Sequence, residues 1–77
     1  MLKVEDLSGE LYITSAHPMT KDNYISFVAY LNDSTEMFFK QYPEWQVQIY
    51  MPVFRQGILV WYSTDSGLMY QDIADIT

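Results

Sequence analysis

The chain offers few residues that do chemistry. His17, within "SAHPMTKDNY", is its only histidine, and cysteine is absent. With six serines and several aspartates, His17 formally supplies the parts of a Ser-His-Asp triad. A triad works through geometry and an oxyanion site, and no G-x-S-x-G elbow presents a nucleophile here. Paired carboxylates can serve acid–base work. The acids of this chain fall mostly in turns or on outward strand positions, where solvation explains them. Gly9, Gly57 and Gly67 are too scattered to form a phosphate-binding loop. As a metal site, His17 with Asp22 gives two ligands at best. Transition metals require three or more strong nitrogen, sulfur or carboxylate donors. Taken alone, His17 reads as a loop residue ahead of a strand.

The elements that would position these residues are strands. "ELYITSA" alternates Leu11, Ile13 and Ser15 against Tyr12, Thr14 and Ala16, a period of two. "HPMTKDN" follows as a loop, with Pro18 biasing His17 toward extended geometry. "YISFVAYL", residues 24–31, is apolar on both parities. Ile25, Phe27, Ala29 and Leu31 share one, and Tyr24, Val28 and Tyr30 the other. Its β-branched and aromatic content predicts a strand that is central or covered by a partner. The turn signal "NDS" predicts a hairpin with 35–42. "WQVQIYMPV" places Val47, Ile49, Met51 and Val53 toward the core. Pro52, on the outward parity, predicts an edge strand or a bulge. "RQG" turns the chain into a strand at 58–64, and a last short pairing is expected near "LMYQDI". Residues 1–77 therefore form one domain. Residues 1–9 are expected as a flexible lead or a strand, and 72–77 as a frayed tail.

Composition narrows the function classes. The chain is 49% hydrophobic and 17% aromatic, too rich in aromatics for disorder. Short all-β chains bury such residues as a sandwich or barrel. The net charge is −6, with four bases against ten acids. Nucleic acid and anionic membrane are poor partners for such a surface. No apolar run approaches the ~20 residues of a membrane helix, and no signal peptide is evident. A cytoplasmic location is the simplest expectation. Tyr24, Tyr30, Phe38, Tyr50 and Trp61 exceed what one face of a small sandwich buries. That surplus points to a homo-oligomer packed through aromatic strand faces.

Two motifs carry a resemblance. "HPMTKDNYISFVAYL" resembles the His-Pro-Met-Thr-x-x-His-Tyr-Ile segment of the superoxide reductase and desulfoferrodoxin family. "VWYSTDSGLMYQ" resembles the Tyr-Cys-x-x-His-Gly-Leu-Trp segment that closes that family's iron domain. "QYPEWQVQIYMP" and the strand order between the motifs also fit, so the likeness spans roughly residues 8–71. It implies a small immunoglobulin-like β-sandwich that need not be complete. It also implies a non-haem iron held by four equatorial histidines and an axial cysteine thiolate. In that family the iron reduces superoxide with electrons from a partner such as rubredoxin.

Residue by residue, the ligand set is broken. His17 matches the first histidine. Asn23 stands where the second histidine lies, Ser63 where the axial cysteine lies, and Ser66 where the following histidine lies. The remaining histidine, and a lysine associated with superoxide attraction, have no counterpart. A neutral serine hydroxyl does not replace a thiolate, nor an amide oxygen an imidazole. His17 is thus expected as a vestigial metal position, and no cofactor is expected. The resulting expectation is a non-catalytic sandwich acting in protein–protein association. The alternative is a divergent iron-binding oxidoreductase of the superoxide reductase type. An acidic inhibitor that mimics nucleic acid is permitted by the charge alone.

Overall fold

The computed structural model describes residues 2–73. Seven strands follow one another: β1 (Leu2–Asp6), β2 (Glu10–Ser15), β3 (Ile25–Leu31), β4 (Glu36–Lys40), β5 (Gln48–Pro52), β6 (Ile58–Ser63) and β7 (Gly67–Asp72). They form two antiparallel sheets, ordered β1-β2-β5 and β4-β3-β6-β7. The fold is all-β and sandwich-like, as the strand pattern predicts.

Short turns set the registers. Ser8 and Gly9 both take positive φ, 56° and 98°, between β1 and β2. Two such residues make the tight primed turn that matches strand twist. The Asp6 carboxylate accepts the Gly9 N–H at 3.2 Å and fixes it. Within the segment 1–9, β1 runs over Leu2–Asp6. At the other end, Asp72 closes β7 and Ile73 is fully buried, its N–H donated to the Gly57 carbonyl at 3.0 Å. The expected frayed tail thus loses its first two residues to sheet and core. Residues 74–77 lie outside the described residues.

The core lies between the sheets. Leu11 and Ile13 of β2 and Ile49 and Met51 of β5 meet Val28, Tyr30, Leu59 and Trp61 of the larger sheet. In β5 the alternation holds, with Val47 just ahead of the strand also buried and Gln48 and Tyr50 outward. Pro52 sits on an edge strand, since among the described residues β5 pairs only with β2. Edge strands are where a sheet tolerates proline.

Two expectations need correction. Strict alternation groups Ile25 with Phe27, Ala29 and Leu31. Instead the β3–β6 register shifts between Ile25 and Phe27. An extra residue in one strand reverses the facing of what precedes it, so Ile25 joins Val28 and Tyr30 in the core. The aromatic surplus also has different members than expected, with Tyr42, Trp45, Tyr62 and Tyr70 exposed. Tyr30 and Trp61 are core residues, whereas Phe38 and Tyr50 are exposed.

Tyr30 is clamped at its polar end. Its hydroxyl donates to the Gln56 carbonyl and accepts the Asn32 side-chain N–H at 2.9 Å. Its ring stacks on Phe54 at 4.5 Å. Gly57 lies against this clamp at φ 118°, and a Cβ there would fall 2.6 Å from the Tyr30 hydroxyl and 2.7 Å from the Leu31 carbonyl oxygen. Gly57→Ala combines backbone strain with overpacking, and each effect costs about 1–3 kcal/mol. Urea denaturation should show a loss of about 3 kcal/mol. A loss near zero would mean that the β5–β6 connection repacks freely.

Candidate functional site

The loop after β2 and the end of β6 meet at His17. His17 and Ser63 are 46 positions apart, yet the imidazole Nε2 lies 2.8 Å from the Ser63 Oγ. The pairing follows from the sheet. Ile25 pairs with Ser63, and the Tyr24 carbonyl accepts the Thr64 N–H at 3.0 Å. The Tyr24 N–H is donated to the Thr64 hydroxyl at 3.0 Å. These bonds draw the start of β3, with the loop ahead of it, against the β6–β7 turn. Ser15 Oγ accepts the His17 N–H at 3.0 Å and orients the loop from its other end.

Proton positions in this cluster follow from valence. The His17 Nδ1 lies 2.6 Å from the Pro18 carbonyl oxygen. A carbonyl only accepts, so Nδ1 carries the hydrogen. Nε2 of that neutral tautomer is an acceptor, and Ser63 donates its hydroxyl to it. The Ser63 oxygen in turn accepts two backbone N–H groups, from Asp65 at 3.3 Å and Ser66 at 3.1 Å. Its hydrogen-bonding capacity is thereby filled.

A hydroxyl bonded to an oriented imidazole resembles half of a hydrolytic triad. Access decides against that chemistry. Ser63 is 1% exposed, so no substrate carbonyl reaches its oxygen. The arrangement is a buried polar knot that ties a loop to a sheet.

Asn23 and Ser66 lie near the knot but stand outside it. Asn23 closes the turn that begins at Thr20, its N–H donated to the Thr20 hydroxyl at 3.1 Å. Its Oδ1 is buried with no hydrogen-bond partner. Ser66 is exposed and contributes its backbone N–H alone to the knot. Asp22, the carboxylate paired with His17 in the bare sequence, is exposed.

A second feature lies on the opposite side of the larger sheet. Val28, Tyr30, Leu59 and Trp61 point into the core, so the residues between them point away. Three rows then cross the four strands. One reads Lys40, Phe27, Tyr62, Leu68; the next Phe38, Ala29, Val60, Tyr70; the third Glu36, Leu31, Ile58, Asp72. Nine of these twelve residues are apolar or aromatic, with charge only at three corners. Phe38, Leu68 and Tyr70 are 65%, 62% and 76% exposed. Phe27 stacks on Phe38 at 5.1 Å and on Tyr62 at 6.5 Å. The outer face of the smaller sheet differs, carrying Lys3, Glu5, Thr14 and Gln48 around a Tyr12–Tyr50 stack.

No protein-family model matches the sequence, and no curated protein matches it significantly. Among solved structures, the chain is similar to the superoxide reductase from Nanoarchaeum equitans. The TM-score is 0.50 at 18% identity, over 94% of this chain and 86% of that chain. The likeness is one of fold.

The residues present do not fit the iron that such a fold implies. The one imidazole nitrogen available as a ligand is held by Ser63. The Ser63 oxygen is neutral, and its lone pairs are taken by N–H groups. Cysteine is absent, and among the described residues no three His, Cys, Asp or Glu side chains group to hold a metal ion. His17 and Ser63 satisfy each other instead, while the Asn23 Oδ1 has no hydrogen-bond partner. Among the described residues, no helix is long and apolar enough to cross a membrane.

Proposed function

We propose that this chain is a non-catalytic, superoxide-reductase-like sandwich that acts through protein–protein association, first with itself. The observation that carries the reading is the apolar outer face of the four-stranded sheet. Four strands about 4.8 Å apart, with six residues rising about 3.3 Å each, make a flat face of roughly 400 Å². The largest apolar patch on a soluble protein is often of about this size and often functional, and here nine of the twelve residues on the face are apolar or aromatic. The knot at His17 supports the non-catalytic part, because it satisfies internally the groups that a metal would have required. Strand order β1-β2-β5 over β4-β3-β6-β7 supports an immunoglobulin-like reading of the sandwich. A chain without cysteine fits the cytoplasm.

Sedimentation velocity from about 1 to 100 μM tests the association, a range that brackets weak complexes. Concentration-dependent self-association is expected, and Phe38→Lys/Tyr70→Lys should abolish it. A monomer throughout the range overturns the reading, as does a variant that still associates. Ferrous iron with visible spectroscopy tests the other half. Stoichiometric iron with a defined signature, or catalytic loss of superoxide, would overturn the non-catalytic assignment.

A further inference from the structure

We propose that two copies pack face to face through the outer side of the four-stranded sheet, about a two-fold axis lying in the interface and perpendicular to the strands. The axis runs along the middle row, Phe38 to Tyr70. This rests on the association reading above and specifies its partner and geometry.

The positions of the charges select this axis. An isologous contact needs a patch that complements itself under a two-fold rotation. An axis normal to the face returns the patch to its own side and joins nothing. An in-plane axis along the strands exchanges β4 with β7, which sets Glu36 over the partner's Asp72 and leaves Lys40 over the partner's Leu68. A diagonal axis sets the strands of the two copies across each other at a right angle. In one sense it stacks Glu36 on the partner's Glu36 while pairing Lys40 with the partner's Asp72, and in the other it stacks both Lys40 and Asp72 on their own copies, so each sense brings like charges together.

The axis perpendicular to the strands brings no like charges together, although it sets Asp72 over the partner's Leu68 at the rim. It exchanges the first row with the third and leaves the middle row on itself. Lys40 then meets the partner's Glu36, and by symmetry the pair forms twice. Phe27 meets the partner's Leu31, and Tyr62 the partner's Ile58. Ala29 and Val60, at the centre, meet their own copies, and small central residues allow close approach. Strands of the two sheets stay roughly aligned, the usual arrangement for stacked sheets. Lys40 is also held near the contact, its ammonium 5.5 Å from the Tyr42 ring centre.

The face is about half the area that each partner contributes to a standard interface, roughly 800 Å². The dimer is therefore expected to be weak, with a Kd on the order of 10–100 μM.

Charge exchange tests the geometry directly. Lys40→Glu and Glu36→Lys each convert two attractive pairs into two repulsive ones. Each alone should raise the dimer Kd at least about tenfold in sedimentation equilibrium at low salt. An equimolar mixture of the two variants should dimerise as the unaltered chain does, since its cross-pairs are again opposite in sign. The double variant Lys40→Glu/Glu36→Lys, which keeps the net charge, should also recover. If the unaltered chain associates but single variants leave Kd unchanged, this geometry is overturned while the association reading stands. The geometry is likewise overturned if single variants weaken the dimer but neither mixture nor double variant recovers. If the unaltered chain stays monomeric, both fall together.

Discussion

Ser63→Ala is expected to lower folding stability by about 3 kcal/mol, measured by urea denaturation. One hydroxyl serves three partners, so its removal strands three polar groups. The His17 Nε2 loses its donor, and the Asp65 and Ser66 N–H groups lose their acceptor. An unsatisfied group in a dry site costs about 1–3 kcal/mol, whereas one that water reaches costs far less. Asp65 and Ser66 are exposed, so water rescues part of their loss. The Ser63 position itself is 1% exposed, and water does not refill it without displacing the strand end. A methyl group also leaves a gap where the oxygen was.

His17→Ala should cost less, about 1–2 kcal/mol, because the ring is only partly buried. The Ser63 oxygen keeps both N–H donors in that variant. The double variant separates a bond from two independent losses. A coupling of about 1 kcal/mol between the two positions is the expected result. Strict additivity would mean that the 2.8 Å contact contributes nothing and that the loop is anchored elsewhere.

The legibility of this fold in its sequence varies with the strand. In β5 polar and apolar residues alternate, so period and parity place Val47, Ile49 and Met51 in the core without ambiguity. The hairpin of β3 and β4 follows from the apolar runs either side of "NDS". In β3 and β6 both parities are apolar, and periodicity cannot say which one faces the core. That is why Tyr30 and Trp61 count as surplus aromatics in the sequence although both are core residues. The register shift beside Ser26 leaves no local signal, because serine occurs in regular strands and bulges alike. His17 and Ser63 lie 46 positions apart, and no spacing rule joins them. The family resemblance pairs the two positions as metal ligands. Only the folded structure shows that they hydrogen-bond to each other.

If the backbone has kept the geometry while the side chains changed, restoring donors should restore a metal site. Asn23→His/Ser63→Cys/Ser66→His, with His17 retained, would place three imidazoles and a thiol around the end of β6. The chain already brings these backbones together: Tyr24 is bonded to Thr64, and the Ser66 N–H reaches the Ser63 side chain. Two backbone N–H groups aimed at position 63 would favour a thiolate there. Three nitrogens and one sulfur suit tetrahedral zinc or cobalt, with bonds of about 2.0–2.3 Å. The unaltered chain should show no stoichiometric cobalt binding. The triple variant should bind one cobalt with a Kd near or below about 1 μM and a sulfur-to-metal absorption band. Metal at a hundredfold excess over Kd should then stabilise it by about 2.7 kcal/mol, reversed by a chelator. Without metal the variant should be less stable than the unaltered chain, because Ser63→Cys breaks the polar knot. A folded triple variant that ignores cobalt would show that the loop around His17 has drifted from the ligand geometry. The replacement of ligands would then have reshaped the backbone as well as its chemistry.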